Sequence, residues 1–142
     1  MKKLFFFIIL SINCYFTSNT IAFSGVLSVT TSEVKQEYKK AYFAGGCFWC
    51  MEESFDKVKG VLKSISGYSG GHVKNPTYRQ VIYEDTGHVE AIQVFYDPKL
   101  TNYKELLKVF WVNIDPFDAD GQFCDKGKSY RSVAFYQNLK EK

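Results

Sequence analysis

The sequence has no large surplus of one charge, no apolar run long enough for a confident membrane span, and no glycine pattern for a nucleotide. Of 142 residues, 18 are Lys or Arg and 15 are Asp or Glu, a net charge of +3. Residues 1–24 hold two of those lysines and no acid, so the remainder stands at 16 basic against 15 acidic. That leaves no basic field to attract nucleic acid. The absence of G-x-G-x-x-G removes the usual dinucleotide cradle, and no internal repeat is visible. A second C-x-x-C is also missing, so the paired thiols of a common zinc site are not there. What is present is 46% hydrophobic and 18% aromatic residues, which excludes general disorder. The length suits one domain with a core of its own.

The N-terminus reads as a targeting segment. Lys2 and Lys3 form a basic head, residues 4–16 are mostly apolar, and residues 17–24 are small and polar. This is the layout of a secretory signal peptide. Ala22 and Ser24 suit the −3 and −1 positions of a cleavage site, and Thr20 with Ala22 is nearly as good. The expectation is a periplasmic or secreted protein, with an uncleaved N-terminal membrane anchor as the alternative. Cys14 goes with the discarded segment, because Ser11, Ile12 and Asn13 fit a lipoprotein site poorly. Residues 25–40 are rich in Ser, Thr and Lys without a lasting period, and read as a flexible arm.

From residue 41 the pattern becomes that of a folded domain. Residues 41–44 form a short apolar run ending in Gly45-Gly46, a buried strand. Apolar residues at 47, 48, 51, 55 and 58 have helical spacing, and Gly60 ends that helix. Residues 61–68 and 88–96 are the next strands, separated by a turn-rich loop at 69–76 and an ambiguous stretch at 77–83. Thr101 or Asn102 caps a second helix with Glu105 near its third position. A loop at 114–128 leads to a fourth strand at 130–136, and residues 137–142 enter a further helix. The order is β-α-β, loop, β-α-β. That predicts an α+β, ferredoxin-like split β-α-β sandwich, an antiparallel sheet with helices on one face.

The most specific chemical signal is Gly45-Gly46-Cys47-Phe48-Trp49-Cys50. It lies at a strand-to-helix junction, where unpaired N–H groups and the positive end of the helix dipole favour a thiolate. Cys47 is therefore placed to be a nucleophile. Phe48 and Trp49 put two large rings beside that sulfur, as a pocket for a small apolar group would require. Three polar stretches could converge there: Asn75-Pro76-Thr77-Tyr78, Thr86-Gly87-His88-Val89-Glu90, and residues 124–130. Glu90 enters an apolar strand, where burial raises a carboxyl pKa and fits it for general-acid work.

Taken together, these stretches resemble the A-type peptide-methionine sulfoxide reductases, which reduce the S epimer of methionine sulfoxide. The resemblance runs from about residue 42 to residue 136. It includes Gly46-Cys47-Phe48-Trp49, Gly67-Tyr68, Gly70-Gly71, Asn75-Pro76-Thr77-Tyr78, Thr86-Gly87-His88-Val89-Glu90, Tyr96-Asp97-Pro98, Phe110-Trp111, Asp115-Pro116 and residues 125–132. It implies Cys47 as nucleophile, Phe48 and Trp49 as the wall around the substrate methyl, and Glu90 as the acid. It further implies Tyr78 and Tyr130 as donors to the sulfoxide oxygen and Asp125 as a residue that helps polarise the site. His88 is structural in this comparison, and His72 lies in a loop. The implied partners are methionine sulfoxide, free or in proteins, and a thioredoxin-like reductant acting on a monomer without metal or other cofactor.

The chain departs from the family pattern in two places. Cys50 stands where many members have Gly, and members usually continue well past residue 142, often with a resolving cysteine in the tail. The expectation is a catalytic domain at residues 41–142 with its C-terminal part missing, at a cost of several kcal/mol of packing (~5, a whole domain's stability). The resolving thiol is then Cys50, one turn from Cys47, with Cys124 as the alternative. Two other classes compete: a C-x-x-C thiol-disulfide oxidoreductase of another fold, and a zinc or disulfide site built from Cys47, Cys50, Cys124 and a histidine.

Overall fold

A computed structural model describes residues 37–142. The expected signal peptide, Cys14 within it, and residues 25–36 of the expected arm lie outside the described residues. Along the chain run β1 (Lys39–Ala44), α1 (Phe48–Asp56), β2 (Val61–Ser69), α2 (Tyr78–Tyr83), β3 (Val89–Tyr96), α3 (Tyr103–Val112), β4 (Gly121–Gln122), β5 (Asp125–Lys126), a 3-10 turn (Lys128–Tyr130) and β6 (Val133–Phe135). The main sheet has the order β2-β3-β1-β6, and each neighbouring pair is antiparallel. Strand β3 lies between β1 and β2, and β1 lies between β3 and β6, which is the split β-α-β arrangement.

Alternation along the strands decides what each face buries. Ala41 and Phe43 of β1, with Ile92, Val94 and Tyr96 of β3, pack against Phe48, Met51 and Phe55 of α1 and Leu106 and Phe110 of α3. Ala44, Val89 and Ala91 form a smaller cluster with Val133 and Phe135. Phe43 is the centre of the main core, stacked on Phe55 at 5.1 Å, Phe110 at 5.3 Å and Tyr103 at 5.7 Å. Burying each such ring stabilises the fold by roughly 1.5–3 kcal/mol.

Helix α1 is fixed from both sides. Its apolar residues at i, i+3 and i+7 face the sheet. Its acids Glu52 and Asp56 accept from the hydroxyls of Ser66 and Ser64 on β2, and the Ser64 amide also donates to Asp56 Oδ1 at 2.8 Å. Asn102 caps α3 by accepting from the Glu105 amide at 3.1 Å.

Several sequence expectations change here. The ambiguous stretch at 77–83 is helical, because Thr77 and Gln80 form a reciprocal capping box. Strand β1 begins at Lys39, inside the expected arm, where Lys39 and Lys40 pair with Tyr96 and Phe95. The loop expected at 114–128 contains the β4–β5 hairpin. The expected strand at 130–136 is only Val133–Phe135, since Tyr130 closes a 3-10 turn with its amide on Gly127 O. The helix expected at 137–142 is instead a run of turns. There Glu141 takes the Gln137 amide and Asn138 takes the Lys140 amide, so side chains compete with helical hydrogen bonds.

Candidate active site

Cys47 is the N-cap of α1 rather than its first helical residue, and its side chain makes no capping hydrogen bond. The turn that delivers it depends on two glycines. A Cβ on Gly45 would lie 2.8 Å from Met51 Sδ, and one on Gly46 would lie 2.7 Å from Gln122 Cβ. Gly46 also has φ +84°, a region costly for L side chains.

The first turn of α1 is joined to β3 by a carboxyl group. Glu90 is 1% exposed and shares the sheet face of Ile92 and Val94. Its Oε2 accepts from the Phe48 amide at 3.0 Å, one of the helix's orphan donors. Its Oε1 is buried with no hydrogen-bond partner in the structure. Burial pushes the Glu90 carboxyl above the usual carboxylate range, with Asp125 adding to the rise and the Phe48 amide opposing it. A carboxyl whose pKa is raised by burial is suited to general-acid work.

Around this carboxyl the aromatic residues assemble. The Phe48 ring lies 5.1 Å from Trp49, 5.8 Å from Tyr68 and 6.2 Å from Tyr78, and Trp49 stacks on Tyr78 at 6.1 Å. Phe48 is buried, whereas Trp49 is 62% exposed and Tyr78 44% exposed. The pair therefore divides into a floor and a rim. Tyr130 comes from the 3-10 turn. Burial first, then the Glu90 charge and the neighbouring Tyr78, push the Tyr130 phenol up. It remains a neutral donor. Tyr68 is likewise pushed up by burial, then by Glu90 and Tyr78.

On the other side of Cys47 lies a cleft of about 310 Å³, whose lining includes Cys47, Cys50, Val112, Phe123, Cys124 and Asp125. All three cysteines are free. The neighbouring Cys47, then burial and Asp125, push the Cys50 thiol up. Cys124 and Asp125 come from the β4–β5 hairpin, whose pairing sets Gln122 opposite Asp125. Among the described residues no group of three or more His, Cys, Asp and Glu is placed to hold a metal ion, so the competing zinc site is not formed there.

The structure thus gathers Cys47, Phe48, Trp49, Glu90, Tyr78, Tyr130 and Asp125 about one helix terminus, with Cys50 and Cys124 on the cleft beside it. The two histidines lie apart from it. The His88 ring accepts from the Gly71 amide at 3.2 Å and meets Val73 O at 2.8 Å, bracing the loop after β2. His72 lies in that loop, its amide on Thr86 O. Sequence reasoning missed Gln122 as an individual residue. It is 1% exposed, accepts from the Asp115 amide at 2.7 Å and donates to Asp115 O at 2.9 Å. No periodicity marks it, because its strand, β4, is only two residues long.

Comparison with known proteins agrees with this geometry. The family model described as peptide methionine sulfoxide reductase matches residues 39–142. The peptide methionine sulfoxide reductase MsrA of Listeria monocytogenes serotype 4b (strain CLIP80459) is 54% identical over 108 residues, 76% of this chain and 61% of that protein. The MsrA of Bacillus subtilis (strain 168) is 55% identical over 102 residues, 72% of this chain and 58% of its own length. Among solved structures, methionine sulfoxide reductase A of Corynebacterium diphtheriae superposes with a TM-score of 0.69 at 32% identity, covering 73% of this chain and 49% of that one. Mxr1 from Saccharomyces cerevisiae in reduced form gives 0.67 at 32%, covering 72% and 61%. The chain spans about 61% of the length of the Listeria relative. With the family model matching from the first strand onward and the Listeria protein 54% identical over 76% of this chain, the chain belongs to the peptide methionine sulfoxide reductase family.

Proposed function

We propose that this chain reduces the S epimer of methionine sulfoxide, free or within proteins, to methionine, and so repairs oxidised proteins. One observation carries the reading. A buried carboxyl, Glu90, has one oxygen on the amide next to Cys47 and the other without a partner. A sulfoxide sulfur is a poor electrophile until its oxygen is protonated or strongly hydrogen-bonded. Phe48 and Trp49 seat the methyl group, Tyr78 and Tyr130 hydrogen-bond the oxygen, and Glu90 supplies the proton. Asp125 polarises the group from the hairpin.

The Cys47 thiolate attacks the sulfoxide sulfur. As the protonated oxygen passes from the substrate sulfur to Cys47 Sγ, the new S–S bond and the substrate S–O bond both break, methionine leaves with the electron pair, and Cys47 holds the oxygen as a sulfenic acid. The Cys50 thiol then displaces that oxygen as water, closing a disulfide whose two electrons match those given to the sulfoxide. A thioredoxin-like dithiol reopens it by exchange. The chain acts as a monomer without a cofactor. Its N-terminal residues 1–24 direct export to the periplasm or outside the cell.

The test is turnover of the separate S and R epimers of free methionine sulfoxide with dithiothreitol as reductant. The reading predicts methionine from the S epimer alone. No methionine from the S epimer would contradict it, and reduction of an unrelated protein disulfide in its place would favour the thiol-disulfide oxidoreductase.

A further inference from the structure

Tyr68 carries an inference that rests on the reading above and adds a residue to it. On β2, Tyr68 is the direct cross-strand partner of Glu90 on β3. Such partners place their Cβ atoms about 5 Å apart on one face of the sheet. That face is the one under α1: Ser64 and Ser66, at the same parity, bond to Asp56 and Glu52, and Tyr68 packs against the main core. Its ring lies 5.8 Å from Phe48, whose amide holds Glu90 Oε2. The remaining oxygen, Oε1, is the only buried side-chain N or O atom found without a partner among the described residues.

Proton transfer makes that oxygen more demanding. When Glu90 gives up its proton, a carboxylate is left 1% exposed with only the Phe48 amide bonded to it. An unpaired buried charge is costly, and a neutral hydroxyl is the donor that relieves it. The groups interacting with Glu90 are the Phe48 amide from α1, Tyr68 from β2, Asp125 from β5 and Tyr130 from the 3-10 turn. Tyr130 is assigned, with Tyr78, to the sulfoxide oxygen. We propose that Tyr68 is a positioning residue for the reaction, its hydroxyl serving as the donor that stabilises the Glu90 carboxylate formed when the sulfoxide oxygen is protonated. Burial and the Glu90 charge keep this phenol protonated, as the role requires.

The experiment is Tyr68→Phe in the full chain, which keeps the ring against Phe48 and deletes only the hydroxyl. Single-turnover reduction of S-methionine sulfoxide is followed across pH, with KM and thermal melting measured alongside. The expected result is a reductive step slowed roughly ten- to a hundredfold at unchanged KM, from loss of a hydrogen bond to a charged group. The high-pH limb, where Glu90 loses its proton, should also move to higher pH, because the carboxylate has lost its donor. A wild-type rate overturns the proposal. So does a slower rate with the limb unmoved, which is all that a loosened fold would give. An inactive wild-type chain overturns the functional reading instead, so the two failures are distinct.

Discussion

The backbone amide of Phe48 donates to Glu90 Oε2 at 3.0 Å, tying the first turn of α1 to the middle strand pair of the sheet. The bond joins nucleophile and acid into one unit, since Cys47 is the residue before that amide. It also leaves Glu90 Oε1 as the free end of a buried acid.

Glu90→Gln keeps the shape and the acceptor for the Phe48 amide but cannot donate a proton in the same way. The reductive step should slow by roughly 10²–10⁴-fold. In the wild type that step should weaken as pH rises through the raised pKa of Glu90. In the variant that limb should be absent. Stopped-flow single turnovers across pH check this, and an unchanged rate would move the acid to Glu52 or Asp125.

The same carboxyl makes a stability prediction. Burial raises its folded pKa above the unfolded value of about 4.3, so its favourable contribution is complete below that value and is lost as pH rises through the folded pKa. The melting temperature of the wild type should therefore fall, relative to Glu90→Gln, as pH rises from about 4 into the neutral range. A melting difference that is constant with pH would show that Glu90 is not held protonated by burial.

Gly46→Ala tests the turn. It puts a Cβ 2.7 Å from Gln122 Cβ at a residue with φ +84°. The strain and the overlap together should cost about 2–5 kcal/mol in urea unfolding, with loss of activity from a displaced Cys47. A change below about 0.5 kcal/mol, the scale of an ordinary surface substitution, would mean that the turn is not constrained as described.

What could be read from the sequence followed what physics makes local. Two strands and two helices show in the spacing of Phe43, Phe55, Ile92, Val94 and Phe110, because burial imposes a period on each element. Cys47 at a helix start and Glu90 in an apolar strand are also local signals. The opposite holds where side chains settle backbone choices. The Thr77–Gln80 capping box makes α2, and Asn138 with Glu141 makes turns where a helix was expected. Gln122 and Tyr68 enter the site through packing and strand register, neither of which a single sequence displays.

The resolving thiol is a separate expectation. Cys50 stands one turn along α1 from Cys47, whereas Cys124 lines the shared cleft from the hairpin. One equivalent of sulfoxide should yield a Cys47–Cys50 disulfide on peptide mapping under non-reducing conditions. A Cys47–Cys124 link formed at the turnover rate would assign the role to the hairpin.

The central claim is that Cys47 takes the oxygen from the sulfoxide. The most direct measurement uses the Cys50→Ser, Cys124→Ser double variant, in which no described thiol remains to close a disulfide with Cys47. It is mixed with one equivalent of S-methionine sulfoxide and a sulfenic-acid trapping reagent, and its peptides are weighed. The account predicts one methionine released per chain and the trapped sulfenic acid on the Cys47 peptide. Methionine released with Cys47 left unoxidised would contradict it.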